Sequence, residues 1–306
     1  MKAYKVVVAA VLGGLASLAT AHAKLNVVCT TPDLGALARE IGGPLVEVRS
    51  IGRPNENPHF VEAKPSYIVA LNRADVLIEV GLELEIGWLP ALLDQTRNAK
   101  IRKGSPGRLN AGTVIQPLEV PAAAVDRSMG DVHASGNPHY MMDPERAKIV
   151  AQAITDRFAK VDVANAGAYA DNLKKLLARI EAAEAEAKKL LEPYRGAKIV
   201  TYHKSLSYLA DRYGLNVVNT VEPKPGIPPS PSHIAALIDQ MKADKVKAVL
   251  IEPWYDRSVP ELLAEKTGAK VVIVPLLVGG EPETQDYPSL VKLVAKRVAQ
   301  TLGGGP

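Results

Sequence analysis

The segment from residue 162 to 192 contains no proline and repeats apolar side chains at three- and four-residue steps: Leu173, Leu176, Leu177, Ile180, Ala183, Ala187, Leu190 and Leu191. Lys174, Lys175, Glu181, Glu184, Glu186, Lys188 and Lys189 fill the other face. At 1.5 Å per residue, a helix of this length spans about 45 Å, the width of a whole domain. Its fewer than five heptads, in one segment only, favour a helix packed against folded neighbours over a coiled coil. Pro193 stops it. The rest of the chain has to be arranged around that spacer.

On either side, short apolar runs alternate with helical patterns. The first block has runs of strand length at 25–30, 45–51, 75–80 and 113–116, with helical stretches such as Leu34–Ile41 and Pro65–Asn72 between them. The second has strands at 197–202, 216–220, 247–252 and 270–275, with helices near 204–213, 232–243, 258–267 and 288–301. Such alternation specifies parallel sheets covered by helices on both faces. The expected fold class is therefore α/β, with two lobes, each holding a roughly four-stranded parallel sheet, joined by one long helix. The expected division is 24–160 for the first lobe, 161–193 for the helix and 194–306 for the second lobe. A chain of 306 residues suits two modest cores better than one outsized core.

Residues 1–23 read as a secretory signal. Lys2 and Lys5 supply a basic start, Val6–Ala19 an apolar run, and Ala21-His22-Ala23 a signal-peptidase site, with cleavage after Ala23. The run is shorter than the about 20 apolar residues that a membrane anchor needs. Cys29 lies beyond the cleavage site within a strand pattern, which favours a buried core thiol over a lipid-attachment cysteine. An exported protein of the periplasm is expected.

Composition narrows the chemistry. Lys plus Arg number 37 against 33 Asp plus Glu, and removal of Lys2 and Lys5 halves the surplus, so a nucleic-acid partner is not expected. One cysteine excludes an intramolecular disulfide, and with it zinc sites built on several thiolates. Any metal must rely on His, Asp and Glu.

Five histidines remain beyond the signal: His59, His133, His139, His203 and His233. His203 directly follows the strand pattern ending at Tyr202, and His59 sits in the loop after 45–51; both fall at the carboxyl ends of parallel strands, where open α/β sheets bind ligands. His139 precedes Asp143-Pro144, a helix-opening pair. Asn-Pro-His occurs at 57–59 and again at 137–139, and the proline restricts the asparagine before it to extended forms. Spacing alone leaves a metal site and ordinary loop histidines equally open.

These segments resemble the zinc and manganese substrate-binding proteins of ABC importers, in the cluster with a long linking helix. The resemblance is carried by Asn57-Pro58-His59-Phe60-Val61-Glu62, by Gly136-Asn137-Pro138-His139-Tyr140 with Asp143-Pro144, by Val200-Thr201-Tyr202-His203 with Tyr208–Leu215, and by Glu222-Pro223-Lys224-Pro225-Gly226. It runs through the whole chain after the signal, and it implies one metal ion between two lobes with His59, His139 and His203 as ligands. Members with glutamate at the third position usually carry Mn²⁺, so His203 favours Zn²⁺ as cargo. Many members also have an aspartate after the last strand of the second lobe, whereas Val274–Gly280 has no acidic residue. Glu252, after the preceding strand, is the first candidate for the fourth position, either as ligand or as a carboxylate orienting a ligating histidine; Asp286 and His133 are lesser candidates, and water is another. His133 alternatively is a solvated loop residue, and His233, near a helix start, reads as structural.

The resemblance implies a monomeric, non-enzymatic carrier that delivers zinc to an inner-membrane permease. Two other readings remain: a zinc hydrolase with an open coordination position and Glu252 as general base, although no His-Glu-x-x-His helix is present, and a metal-binding adhesin.

Overall fold

The computed structural model describes residues 24–123, 130 and 133–303. The expected signal at 1–23 lies outside the described residues. In chain order the first lobe contains β1 (Leu25–Cys29), α1 (Pro32–Gly42), β2 (Val46–Ser50), α2 (Pro65–Arg73), β3 (Val76–Glu79), α3 (Leu89–Asp94), β4 (Arg108–Asn110) and α4 (Pro144–Val161). After the long α5 (Ala166–Leu191) come β5 (Lys198–Thr201), α6 (Ser207–Tyr213), β6 (Asn216–Thr220), α7 (Pro231–Asp244), β7 (Ala248–Ile251), α8 (Ser258–Thr267), β8 (Lys270–Ile273) and α9 (Tyr287–Leu302).

The two sheets repeat one topology, β2-β1-β3-β4 and β6-β5-β7-β8, with every pair parallel. The inner strands β3 (Val-Leu-Ile-Glu) and β7 (Ala-Val-Leu-Ile) are buried throughout, as strands covered on both faces must be. In each sheet the chain steps to one side of the first strand and then crosses to the other. That reversal opens a crevice at the strands' carboxyl ends, which is where ligands bind in such sheets.

Seven strands fall within one or two residues of the expected positions; β4 does not. The strand expected at 113–116 is instead formed by Arg108–Asn110, paired with β3 in the register Ile78↔Leu109. Leu109 is its one buried residue, so this edge strand has no apolar run to betray it. The Val114-Ile115 pair that suggested a strand follows a 3₁₀ turn at Ala111–Thr113, with Val114 exposed.

The spacer helix is 26 residues long, roughly 39 Å, and a 3₁₀ turn flanks each end, at Val163–Asn165 and Glu192–Tyr194. Its apolar stripe, Tyr169, Leu173, Leu176, Ile180, Ala183, Ala187 and Leu191, is buried. It packs on α1 and α4 of the first lobe and on α9 of the second. Arg179 on its outer side bridges Glu40 of α1 and Asp286 at the start of α9. The largest apolar cluster runs through α5 from one lobe into the other, while two smaller clusters fill the far faces of the sheets under α2 and α3 and under α7 and α8. No helix among the described residues is long and apolar enough to cross a membrane.

Candidate metal centre

The Asn-Pro-His repeat has one local geometry used twice. Asn57 Oδ1 accepts the backbone N–H of His59 at 3.0 Å, and Asn137 Oδ1 accepts that of His139 at 2.9 Å. An asparagine side chain thus closes each turn over a proline that has no N–H of its own to offer. The first turn is tied down by Trp88, whose Nε1 donates to Pro58 O at 3.0 Å. The second lobe anchors the other: Tyr208 donates from its hydroxyl to Asn137 O at 2.6 Å, Asn137 Nδ2 donates to Lys204 O at 2.7 Å, and Tyr287 donates to Met141 O at 2.7 Å. Asp143 caps α4 as its position before Pro144 suggests, accepting from Glu145 N at 3.0 Å.

His59, His139 and His203 converge at the seam between the lobes. One ligand atom of each lies within 4.8 Å of the others, and Nε2 of His59 is 3.2 Å from Nε2 of His139. The ring centroids are 5.1, 5.2 and 5.5 Å apart, with interplanar angles of 63°, 87° and 75°. Tetrahedral zinc with bonds of about 2.0–2.1 Å sets its nitrogen ligands roughly 3.3 Å apart, so the closest pair already has that spacing. Burial, followed by the neighbouring imidazoles, holds both His59 and His139 well below the usual histidine pKa. Both rings are therefore neutral at pH 7, the form in which imidazole ligates.

His203 is oriented from behind. Its Nδ1 is 2.8 Å from Oε2 of Glu222, which also accepts Gly226 N at 3.1 Å. A carboxylate on one ring nitrogen fixes the tautomer and turns the other nitrogen toward the centre. Glu222 was not singled out as a site residue from the sequence, although its Glu-Pro-Lys-Pro-Gly segment was among the family motifs.

Glu252 and Asp286 are not among the converging atoms, whereas His133 lies beside them. Glu252 is fully buried; one carboxylate oxygen accepts the Ser205 hydroxyl and the other has no protein partner. Burial pushes its carboxyl up to about 7, opposed by the nearby His203. Asp286 caps α9 through Ser289 N at 2.8 Å and pairs with Arg179. His133 stacks on His59, with centroids 5.1 Å apart and planes 24° from parallel, and it lines a small cavity with His139 and His203. Its Nε2 is buried without a partner, and burial lowers its pKa to about 4. It is half-buried, not the solvated loop residue that was one reading of it. His233 sits in the first turn of α7 with Nε2 3.1 Å from Thr220 O, a structural position.

Asp33, at the second position of α1, was also missed. Its carboxylate accepts Val278 N across the lobe seam at 2.7 Å, in the Leu276–Gly280 segment that lacks an acid of its own. It borders a narrow crevice shared with Thr31, His139, Trp254 and Leu276.

A family model described as zinc-uptake complex component A, periplasmic (ZnuA) matches residues 27–301. The chain belongs to the ZnuA family. Among ZnuA-like relatives, the high-affinity zinc uptake system protein ZnuA of Paracoccus denitrificans is 26% identical over 334 residues, covering 97% of each chain. The metal ABC transporter substrate-binding lipoprotein ScbA of Streptococcus cristatus is 26% identical over 295 residues, covering 94% of this chain and 91% of its own. A crystal structure of a ZnuA deletion mutant with zinc bound superposes with a TM-score of 0.77 at 27% identity, covering 91% of this chain and 98% of that one. The ZnuA family is one of metal-binding ABC-importer components, and relatives named for iron, such as YfeA of Yersinia pestis, are about as similar to this chain, at 26% identity.

Proposed function

We propose that this protein captures Zn²⁺ outside the cytoplasm and delivers it to an ABC permease in the inner membrane, with His59, His139 and His203 as the ligands. The observation that carries this reading is the convergence of those three imidazoles from three connections and both lobes, with no carboxylate of the described residues among the converging atoms. An all-nitrogen donor set suits zinc; manganese prefers oxygen. The fourth position is taken by water, by His133, whose ring stacks on His59, or by Glu252, of which Ser205 holds one carboxylate oxygen while the other has no partner among the described residues. Membership of a family of importer components supports a carrier and not a hydrolase with Glu252 as general base. We take the working form to be a monomer in the periplasm, released from its signal after Ala23, with lobes at 24–160 and 194–306 around the helix at 161–193.

Calorimetry on chelator-treated protein at neutral pH tests the reading. One zinc ion binds tightly and Mn²⁺ competes poorly; no zinc binding under these conditions would remove the proposal. Glu222→Gln weakens zinc affinity by about 10- to 100-fold, because the ring of His203 loses its orienting carboxylate. Affinity equal to the parent's would show that Glu222 plays no such part.

A further inference from the structure

A second cleft lies along the lobe seam, lined on one side by the carboxyl end of β2, the following turn and the start of α2, and on the other by Val278, Gly279 and Gln285. Its volume is about 530 Å³. Arg39, Arg49, Arg53 and Lys64 all line it, and among the described residues no carboxylate does. Lys64 pairs at 3.4 Å with Glu62, which is largely exposed; among the described residues, no carboxylate pairs with the guanidinium of Arg39, Arg49 or Arg53. In a chain whose charges nearly balance, so one-sided a concavity is a local electrostatic feature of its own.

Neutral groups in the cleft point the same way. Ser66 and Tyr67, in the first turn of the nine-residue α2, also line the cleft, so a helix N-terminus adds its partial positive charge. Arg49 lies over the ring of Tyr67, 5.7 Å from its centroid, which limits the orientations open to its guanidinium. Several planar guanidinium groups around one concavity, beside a helix N-terminus, suit tetrahedral or planar oxyanions.

We propose that this cleft is an oxyanion site that takes a phosphate group, with the guanidinium groups of Arg39, Arg49 and Arg53 as its contacts. The phosphate comes either as the free ion or as the headgroup of an anionic phospholipid. Because Arg53 and Pro54 begin the loop that ends at His59, and Gly279 faces Pro54 from the other lobe, an anion held here ties together both walls of the seam. The proposal does not depend on which metal the imidazoles bind.

The test is titration of the chelator-treated protein with sodium phosphate at low ionic strength, followed by calorimetry, alongside sedimentation with phosphatidylglycerol and phosphatidylcholine vesicles. Saturable one-to-one phosphate binding, weakened roughly tenfold or more in Arg39→Gln/Arg49→Gln, supports the site. Binding to phosphatidylglycerol vesicles alone, lost in the same variant, supports it with the headgroup as the source. No saturable binding to either probe overturns it, as does binding undiminished in the variant, which marks an adventitious ion only. A zinc titration run in parallel keeps failure of this site distinct from failure of the metal reading, since neither arginine is a metal ligand.

Discussion

His203→Ala lowers zinc affinity on the order of 100-fold or more. Zinc held by four protein ligands binds with about 10–16 kcal/mol, so one ligand carries roughly 3 kcal/mol. Two effects are combined in that loss: a donor disappears, and Glu222, which is 6% exposed, is left with a buried carboxylate short of one partner. The double variant His203→Ala/Glu222→Gln separates them. If Glu222 acts only through the imidazole, adding its substitution to His203→Ala costs no further zinc affinity, whereas in the parent it costs 10- to 100-fold. Calorimetry on the four proteins completes the cycle. An unchanged zinc affinity in His203→Ala would place the ion elsewhere.

The second large effect concerns Asp33 in the metal-free protein. Burial pushes its carboxyl from 3.8 up to about 7, with the Val278 N–H opposing. A raised carboxyl makes the folded state bind more protons than the unfolded chain between those two values. Its contribution is therefore fully present below about pH 4 and is lost as pH rises through 7. Keeping the group ionised at pH 8 costs as much as roughly 4 kcal/mol. Asn retains an oxygen for Val278 N and cannot ionise, so Asp33→Asn raises the melting temperature at pH 8 by several degrees and by roughly a third as much at pH 5. Thermal scans from pH 5 to 8.5 measure this, and a difference between the two proteins that does not vary with pH refutes it. Glu85 and Glu252, also buried and pushed to about 7, act in the same sense. The lowered His59 and His139 act in the opposite sense, removing stability as pH falls below the usual histidine value. His133, lowered to about 4 by burial, acts with these two histidines.

The architecture was largely legible in the chain because covered parallel strands leave continuous apolar runs. β4 escaped because an edge strand with one inward residue, Leu109, leaves none. The three histidines could be found because each ends a strand or belongs to a repeated Asn-Pro-His turn. Their mutual distances could not, since His203 meets the other two only after the lobes pack. Asp33 was hidden for a different reason: after Pro32 it looks like an ordinary first-turn acid favoured by the helix dipole. Its cross-lobe bond to Val278, 245 residues away, has no local signature. Glu222 lies 19 residues beyond the imidazole that it orients, across a helix and a strand.

The apolar cluster threaded through α5 also determines how the molecule comes apart. Leu173 and Leu176 near the start of the helix and Ala187 and Leu191 at its end belong to the same cluster as strands and helices of both lobes. Neither lobe can melt without exposing the apolar stripe on which the other rests. Unfolding is then a single cooperative event for the whole chain, seen as one calorimetric peak, and zinc bound at the seam shifts that peak as a unit.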